Sequence, residues 1–155
     1  MSQVQEQEGF TVVGLSKVVK NDDPSAIGAL WEAFHSNDIR TKVGADASEQ
    51  VYCVYHDYEG GLTDPYRMTI GYRTSSADAP EGLHRADVPS QPVVTYEVKG
   101  PQPQSLISQW QAIWGGDLDR TYLADYDVYD AADPEAVSVK VGVRTELSLP
   151  VQTLV

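Results

Sequence analysis

Ile70-Gly71-Tyr72-Arg73-Thr74 and Val141-Gly142-Val143-Arg144-Thr145 are imperfect copies of one pentapeptide, and the blocks that precede each copy match in the same order. Trp31, Ala33, Phe34 and Asp38 align with Trp110, Ala112, Ile113 and Asp117, and Tyr52, Val54 and Tyr55 align with Tyr126, Val128 and Tyr129. Matched blocks in one order with shrinking offsets are what a tandem duplication leaves when the loops of one copy are trimmed. The repeat divides the chain at about 10–79 and 80–145, followed by a tail over 146–155. A unit this small cannot bury a core of its own and must pack on its twin, so the seam between the two is the natural place for a cavity.

The first unit opens with a strand over 10–19, rich in β-branched residues. Asp23 before Pro24 reads as an N-cap with proline at the first helical position, and Ile27, Leu30, Trp31 and Phe34 follow at helical spacing. Strands over 49–58 and 66–74 come next. In the second of these Tyr66, Met68, Ile70 and Tyr72 share one face and Arg67, Thr69 and Arg73 the other, which predicts a sheet packed on one side only. The second unit repeats the plan: strands over 83–88 and 92–99, a helix carrying Leu106, Ile107, Trp110, Ile113 and Trp114 that stops at Gly115-Gly116, then strands over 122–129 and 137–144. The expected fold is α+β: duplicated strand-helix-strand-strand units with pseudo-twofold symmetry, a mostly antiparallel sheet and two long helices in one domain spanning 1–155. The tail is apolar enough for an edge strand or a partner contact.

At 155 residues, 41% of them hydrophobic, with three Trp and nine Tyr, the chain can bury a core despite a formal net charge of −12. That acidic surface repels nucleic-acid phosphates and anionic membranes, both of which bind through Lys/Arg clusters absent here. Neither partner is expected. The polar, acidic N-terminus has no secretory pattern, and no apolar run approaches the ~20 residues of a membrane helix, which predicts a cytoplasmic protein. Cys53, in the run Val51-Tyr52-Cys53-Val54-Tyr55, reads as a buried hydrophobe rather than a reactive thiol. His35, His56 and His84 have no ligand spacing, and no phosphate loop or nucleophile elbow is present, so neither a metal nor a cofactor is expected.

The repeat sets Cys53 opposite Asp127. If the first half shelters Cys53, Asp127 points into similar shelter, where an acid is either unusually basic or paired with something positive: an arginine such as Arg120 or Arg73, or a cationic ligand. The tyrosines are the second feature, because each buried hydroxyl must find a partner. Aromatic faces beside a sheltered carboxylate are what an amphipathic cation requires. The candidate ligand-binding residues are Trp31, Tyr55, Tyr58, Glu59, Tyr66, Met68, Tyr96, Trp110, Trp114, Asp127 and Tyr129, with Asp127 or Glu59 supplying the charge.

The blocks Val51-Tyr52-Cys53-Val54-Tyr55-His56-Asp57-Tyr58-Glu59, Tyr66-Arg67-Met68-Thr69-Ile70-Gly71, Pro80-Glu81-Gly82-Leu83, Val88-Pro89, Tyr96-Glu97-Val98-Lys99-Gly100-Pro101, Trp110-Gln111-Ala112-Ile113-Trp114 and Asp125-Tyr126-Asp127-Val128-Tyr129 carry a resemblance. From about Phe10 to Arg144 the chain resembles the gyrase-inhibitor-like effector-binding domains, in particular single-domain members that include proteins carried on integron cassettes. The resemblance implies a pocket between the two units. It also implies that the pocket glutamate many members carry in the strand at 125–129 passes to Asp127. A second glutamate, common in the final strand, is replaced here by Ser138. Relatives fused to a helix-turn-helix module sense hydrophobic, often cationic compounds. Fewer than ten residues precede Phe10, so no such module is expected ahead of it.

The reading that follows is non-enzymatic binding or sequestration of an amphipathic, cationic aromatic small molecule by a monomer or homodimer. Two alternatives stand beside it. One is a hydrolase of a reactive small-molecule toxin on the same scaffold, with a pocket carboxylate as general base and a tyrosine as acid. The other is an acidic protein inhibitor of a nucleic-acid enzyme such as gyrase. Haem, suggested by a related fold, finds no well-placed axial ligand.

Overall fold

The computed structural model describes residues 4–44, 47–60, 64–75, 79–116, 118–133 and 135–144, so the tail at 146–155 lies outside the described residues. In chain order the elements are β1 (Val4–Gln7), β2 (Phe10–Val19), α1 (Pro24–Ser36), α2 (Ile39–Val43), β3 (Val51–His56), β4 (Tyr66–Thr74), β5 (His84–Val88), β6 (Gln91–Lys99), α3 (Gln104–Trp114), β7 (Ala124–Tyr129) and β8 (Ala136–Gly142). The strands form one sheet in the order β1-β6-β8-β7-β3-β4-β2-β5, with all neighbours antiparallel. This is an α+β fold with two long helices.

The helices begin and end where their sequences require. Asp23 caps α1, its Oδ1 accepting from the Ala26 N–H at 3.2 Å, and Leu30 and Phe34 are buried one turn apart. In α3 the buried residues Leu106, Trp110 and Ile113 recur at helical spacing, and the helix ends at Gly115. Ile107, expected on that inner face, is instead 49% exposed, because it lies one residue round the helix from Leu106.

The face under the helices holds two apolar clusters. One packs Val13, Cys53, Met68 and Ile70 under Leu30 and Phe34, and the other packs Val137, Val139 and Val141 under Leu106, Trp110 and Ile113. Tyr55 and Tyr129 pack against both and so occupy the seam. The expectation that the sheet packs on one side only fails. Its second face carries a smaller core of Val12, Tyr52, Val54, Ala86, Val88, Ala124 and Tyr126, and Thr69 on that face of β4 is fully buried. Phe10 drives this closure: its ring lies 5.4 Å from Tyr52 and 5.0 Å from Tyr126.

Two elements fall outside the expected plan. The polar strand β1 pairs antiparallel with β6, and α2 is a single short helix after Asp38. The edges cross the repeat boundary. β1 precedes the first unit yet completes the edge of the second, and β5 of the second unit pairs with β2 of the first.

Candidate functional site

The two units meet where β3 pairs with β7, with Cys53 opposite Asp127 and Tyr55 opposite Asp125. Alternation along β7 turns Asp125, Asp127 and Tyr129 toward the helices. Asp127 is 0% exposed and, among the described residues, carries no salt bridge. Its Oδ2 accepts from the Tyr55 hydroxyl at 2.5 Å and its Oδ1 from the Trp110 indole N–H at 3.0 Å. Burial pushes its carboxyl up to about 7; the Tyr55 and Trp110 donors pull the other way, and the neighbouring Asp125 charge adds to the rise. Burial, then Asp127, holds the phenols of Tyr55 and Tyr129 well above their ordinary range. Burial likewise raises the Cys53 thiol, leaving it unreactive.

The aromatic side chains interlock across the seam. Trp31 of α1 meets Tyr129 of β7 edge to face at 5.0 Å, and Trp110 of α3 meets Tyr55 of β3 in the same manner at 5.3 Å. Each tryptophan thus rests on a tyrosine of the other unit. Tyr66 lies 5.9 Å from Tyr55 and 5.6 Å from Tyr58, and Trp114 lies 6.5 Å from Trp110. Met68 is fully buried beneath Tyr55, its partner across β3 and β4.

Two sequence candidates stand apart. Glu59 is exposed in the turn after β3, where its N–H donates to Pro65 O at 3.1 Å, which leaves Asp127 as the sheltered acid. Tyr96 lines a cleft of about 370 Å³ between β6 and the C-terminal half of α3, together with Gln109, Ala112, Ile113, Gly116 and Leu118. A second, shallow cleft of about 500 Å³ is lined by Phe10, Thr11, Ser48, Arg73, Thr74 and Ser75. Asp127 lines neither of these clefts and is itself fully buried.

Sequence reasoning missed the second acid. Asp125 is also 0% exposed, but it is fully answered: Oδ2 accepts from Arg120 Nη2 at 2.7 Å and from the Tyr58 hydroxyl at 2.5 Å, and Oδ1 from the Gly142 N–H at 2.8 Å. Arg120 therefore answers Asp125, not Asp127. The signal was present in Asp125-Tyr126-Asp127, whose spacing puts both acids on one face of a strand. Ser138, where the resemblance placed a missing acid, pairs across the sheet with Val128 and so faces away from the seam; its hydroxyl donates to Glu97. His56 is a satisfied core histidine, 2.8 Å from Thr69 Oγ1, its basicity lowered by burial. Among the described residues no three His, Cys, Asp or Glu side chains gather to hold a metal ion, and no helix is long and apolar enough to cross a membrane.

The family model for Cass2, the integron-associated effector-binding protein, matches residues 3–151. The chain belongs to the Cass2 family. An integron cassette protein from the mobile metagenome of Vibrio cholerae, VCH_CASS2, superposes with a TM-score of 0.77 at 26% identity, over 92% of this chain and 95% of that one. SAV2435, solved bound to tetraphenylphosphonium, gives a TM-score of 0.71 at 13% identity, over 93% of this chain and 94% of that one. The C-terminal domain of EcmrR gives 0.59 at 14% identity, over 93% and 97%. The last two show the shared fold alone. No protein of curated function matches the chain. Membership of the Cass2 family makes this a small-molecule effector-binding protein.

Proposed function

We propose that the effector is an amphipathic, cationic aromatic molecule that opens the seam between the two units and pairs with Asp127. The observation that carries this reading is the state of that carboxyl: fully buried, without a basic partner among the described residues, and poised at about 7. Isolated buried acids are costly, and one that meets only the Tyr55 hydroxyl and the Trp110 indole among the described residues is a natural place for a ligand's charge. A pseudo-twofold relation between the units fits the reciprocal Trp31–Tyr129 and Trp110–Tyr55 contacts. Trp31 and Trp114 are only half buried, so they are the rings that can move aside to admit a ligand, with Tyr58 and Tyr66 forming the wall beyond Tyr55. The tetraphenylphosphonium carried by SAV2435 is a ligand of this chemical kind.

Tryptophan fluorescence tests the reading. Methyltriphenylphosphonium is expected to quench Trp110 and Trp114 at micromolar concentration, and the neutral triphenylphosphine oxide to bind at least tenfold more weakly. Equal affinities would remove Asp127 from the site. Conversion of a probe into product during incubation would instead point to hydrolysis, with the Tyr55 hydroxyl and Asp127 as the acid and base.

A further inference from the structure

β7 carries two buried carboxylates on one face, and among the described residues only one of them has a cation. Arg120, 94% buried at its side chain, donates to Asp125 at 2.7 Å, and its guanidinium lies 4.3 Å from the Tyr122 ring centre and 5.7 Å from that of Trp110. The chain has thus built, from its own residues, the complex that the seam would make with a ligand: a cation held by a buried acid and aromatic faces. Trp110 belongs to both arrangements, since its ring faces Arg120 while its N–H donates to Asp127. The two acids also sense each other, because the Asp125 charge contributes to the raised Asp127 carboxyl.

From this arrangement we infer that Arg120 sets the charge selectivity of the effector site, cancelling Asp125 so that the seam presents one acid and selects monocations over dications. The inference rests on the seam reading above and names its ligand class more narrowly. Without Arg120 the seam would present two carboxylates two residues apart on one strand, a spacing of roughly 7 Å that suits a ligand with two positive centres. With it, a second positive charge entering near Asp125 meets a buried guanidinium instead of an acid, a repulsion strengthened by low dielectric.

Ethidium and propidium test this. They share one phenanthridinium ring, and propidium adds a second, quaternary ammonium charge. Fluorescence titration of the full chain is expected to show ethidium binding at least tenfold more tightly than propidium. In Arg120→Gln that ratio should fall by tenfold or more, toward propidium. The double variant Arg120→Gln/Asp125→Asn restores a single acid without the arginine and should again prefer ethidium, by less than the parent because the repulsion from the guanidinium is gone. It also covers the case in which the single variant, left with an unpaired buried acid, fails to fold: a double variant that folds and prefers propidium overturns the proposal. An unchanged ratio in a folded Arg120→Gln protein overturns it as well, while the seam reading survives as long as ethidium binds. If neither dye nor a phosphonium binds the parent chain, the seam reading falls, and this inference with it.

Discussion

Asp127 concentrates the cost and the use of the site in one side chain. Its carboxyl sits at about 7 in the folded chain against an ordinary value of 3.8, so between those limits the folded state holds a proton that the unfolded state has lost. The sign follows: an acid raised by folding favours the fold at low pH, and that contribution drains away as pH climbs from about 4 to 7, staying lost above 7. Asp127→Asn keeps an acceptor for Tyr55 or Trp110 but cannot ionise. Urea unfolding should therefore show the variant gaining on the parent by about 2–3 kcal/mol between pH 5 and pH 8. A constant difference would mean that the acid is not sheltered. On the proposed reading the same group would link protons to ligand. A cation that pairs with the carboxylate must displace its proton, so phosphonium affinity should rise about tenfold per pH unit up to about 7 and then level off. Asp127→Asn should abolish that slope and weaken binding at pH 8 by about 1–2 kcal/mol, the size of a partly desolvated charge pair. Titration of both proteins from pH 5.5 to 8.5 decides the matter.

At the scale of elements, what the sequence made legible follows from where side-chain pattern, rather than backbone pairing, determines the structure. β4 was readable to its ends because Tyr66, Met68, Ile70 and Tyr72 alternate with polar partners, and α1 because Asp23-Pro24 states its start. β1 was not, since Val4-Gln5-Glu6-Gln7 has no apolar rhythm and is held by its partner's backbone. α2 has no side-chain cap and spans barely more than one turn, too short to show a period. The second core escaped for a different reason: Gly14 and Gly71 look like gaps in their strands but sit where neither strand has room for a side chain. They face each other in register, and a Cβ on Gly71 would lie 2.0 Å from Val13 O. No rotamer relieves a clash with backbone. Gly71→Ala should therefore cost on the order of 3 kcal/mol or more. Gly28→Ala, within α1 and with nothing within 4 Å of the added methyl, should stabilise by about 0.5–1 kcal/mol. Thermal melts of the two variants should move in opposite directions, and a silent Gly71→Ala would show that the strands are not as close as placed.

At the scale of the whole molecule, the repeat boundary read from the sequence is not expected to be a line along which the chain can be cut. The shelter of Asp127 was legible because the repeat alignment sets it opposite Cys53, and the sheet brings those two residues face to face. The Arg120–Asp125 pair was hidden because repeat logic finds what two halves share, and this pair exists in one half only. The pairing at the edges was hidden too, because β1, ahead of the first unit, joins the second, and β5 of the second joins β2 of the first. A fragment ending at residue 79 would keep α1, α2, β2, β3 and β4, yet lose β5 from one side of β2 and β7 from the open side of β3. It would also uncover Tyr55, Cys53 and the Trp31 ring, which rests on Tyr129. With two bare strand edges, a stranded β1 and roughly half the apolar burial, such a fragment has too little surface removed from water to offset the entropy of ordering it. It should be insoluble or self-associated, with the exposed edges of β2 and β3 as the points of contact. Sedimentation and circular dichroism of the fragment test this. A monomer that melts cooperatively would show that the β3–β7 contact is dispensable to each half, and would remove the reason for expecting a ligand to be gripped between them.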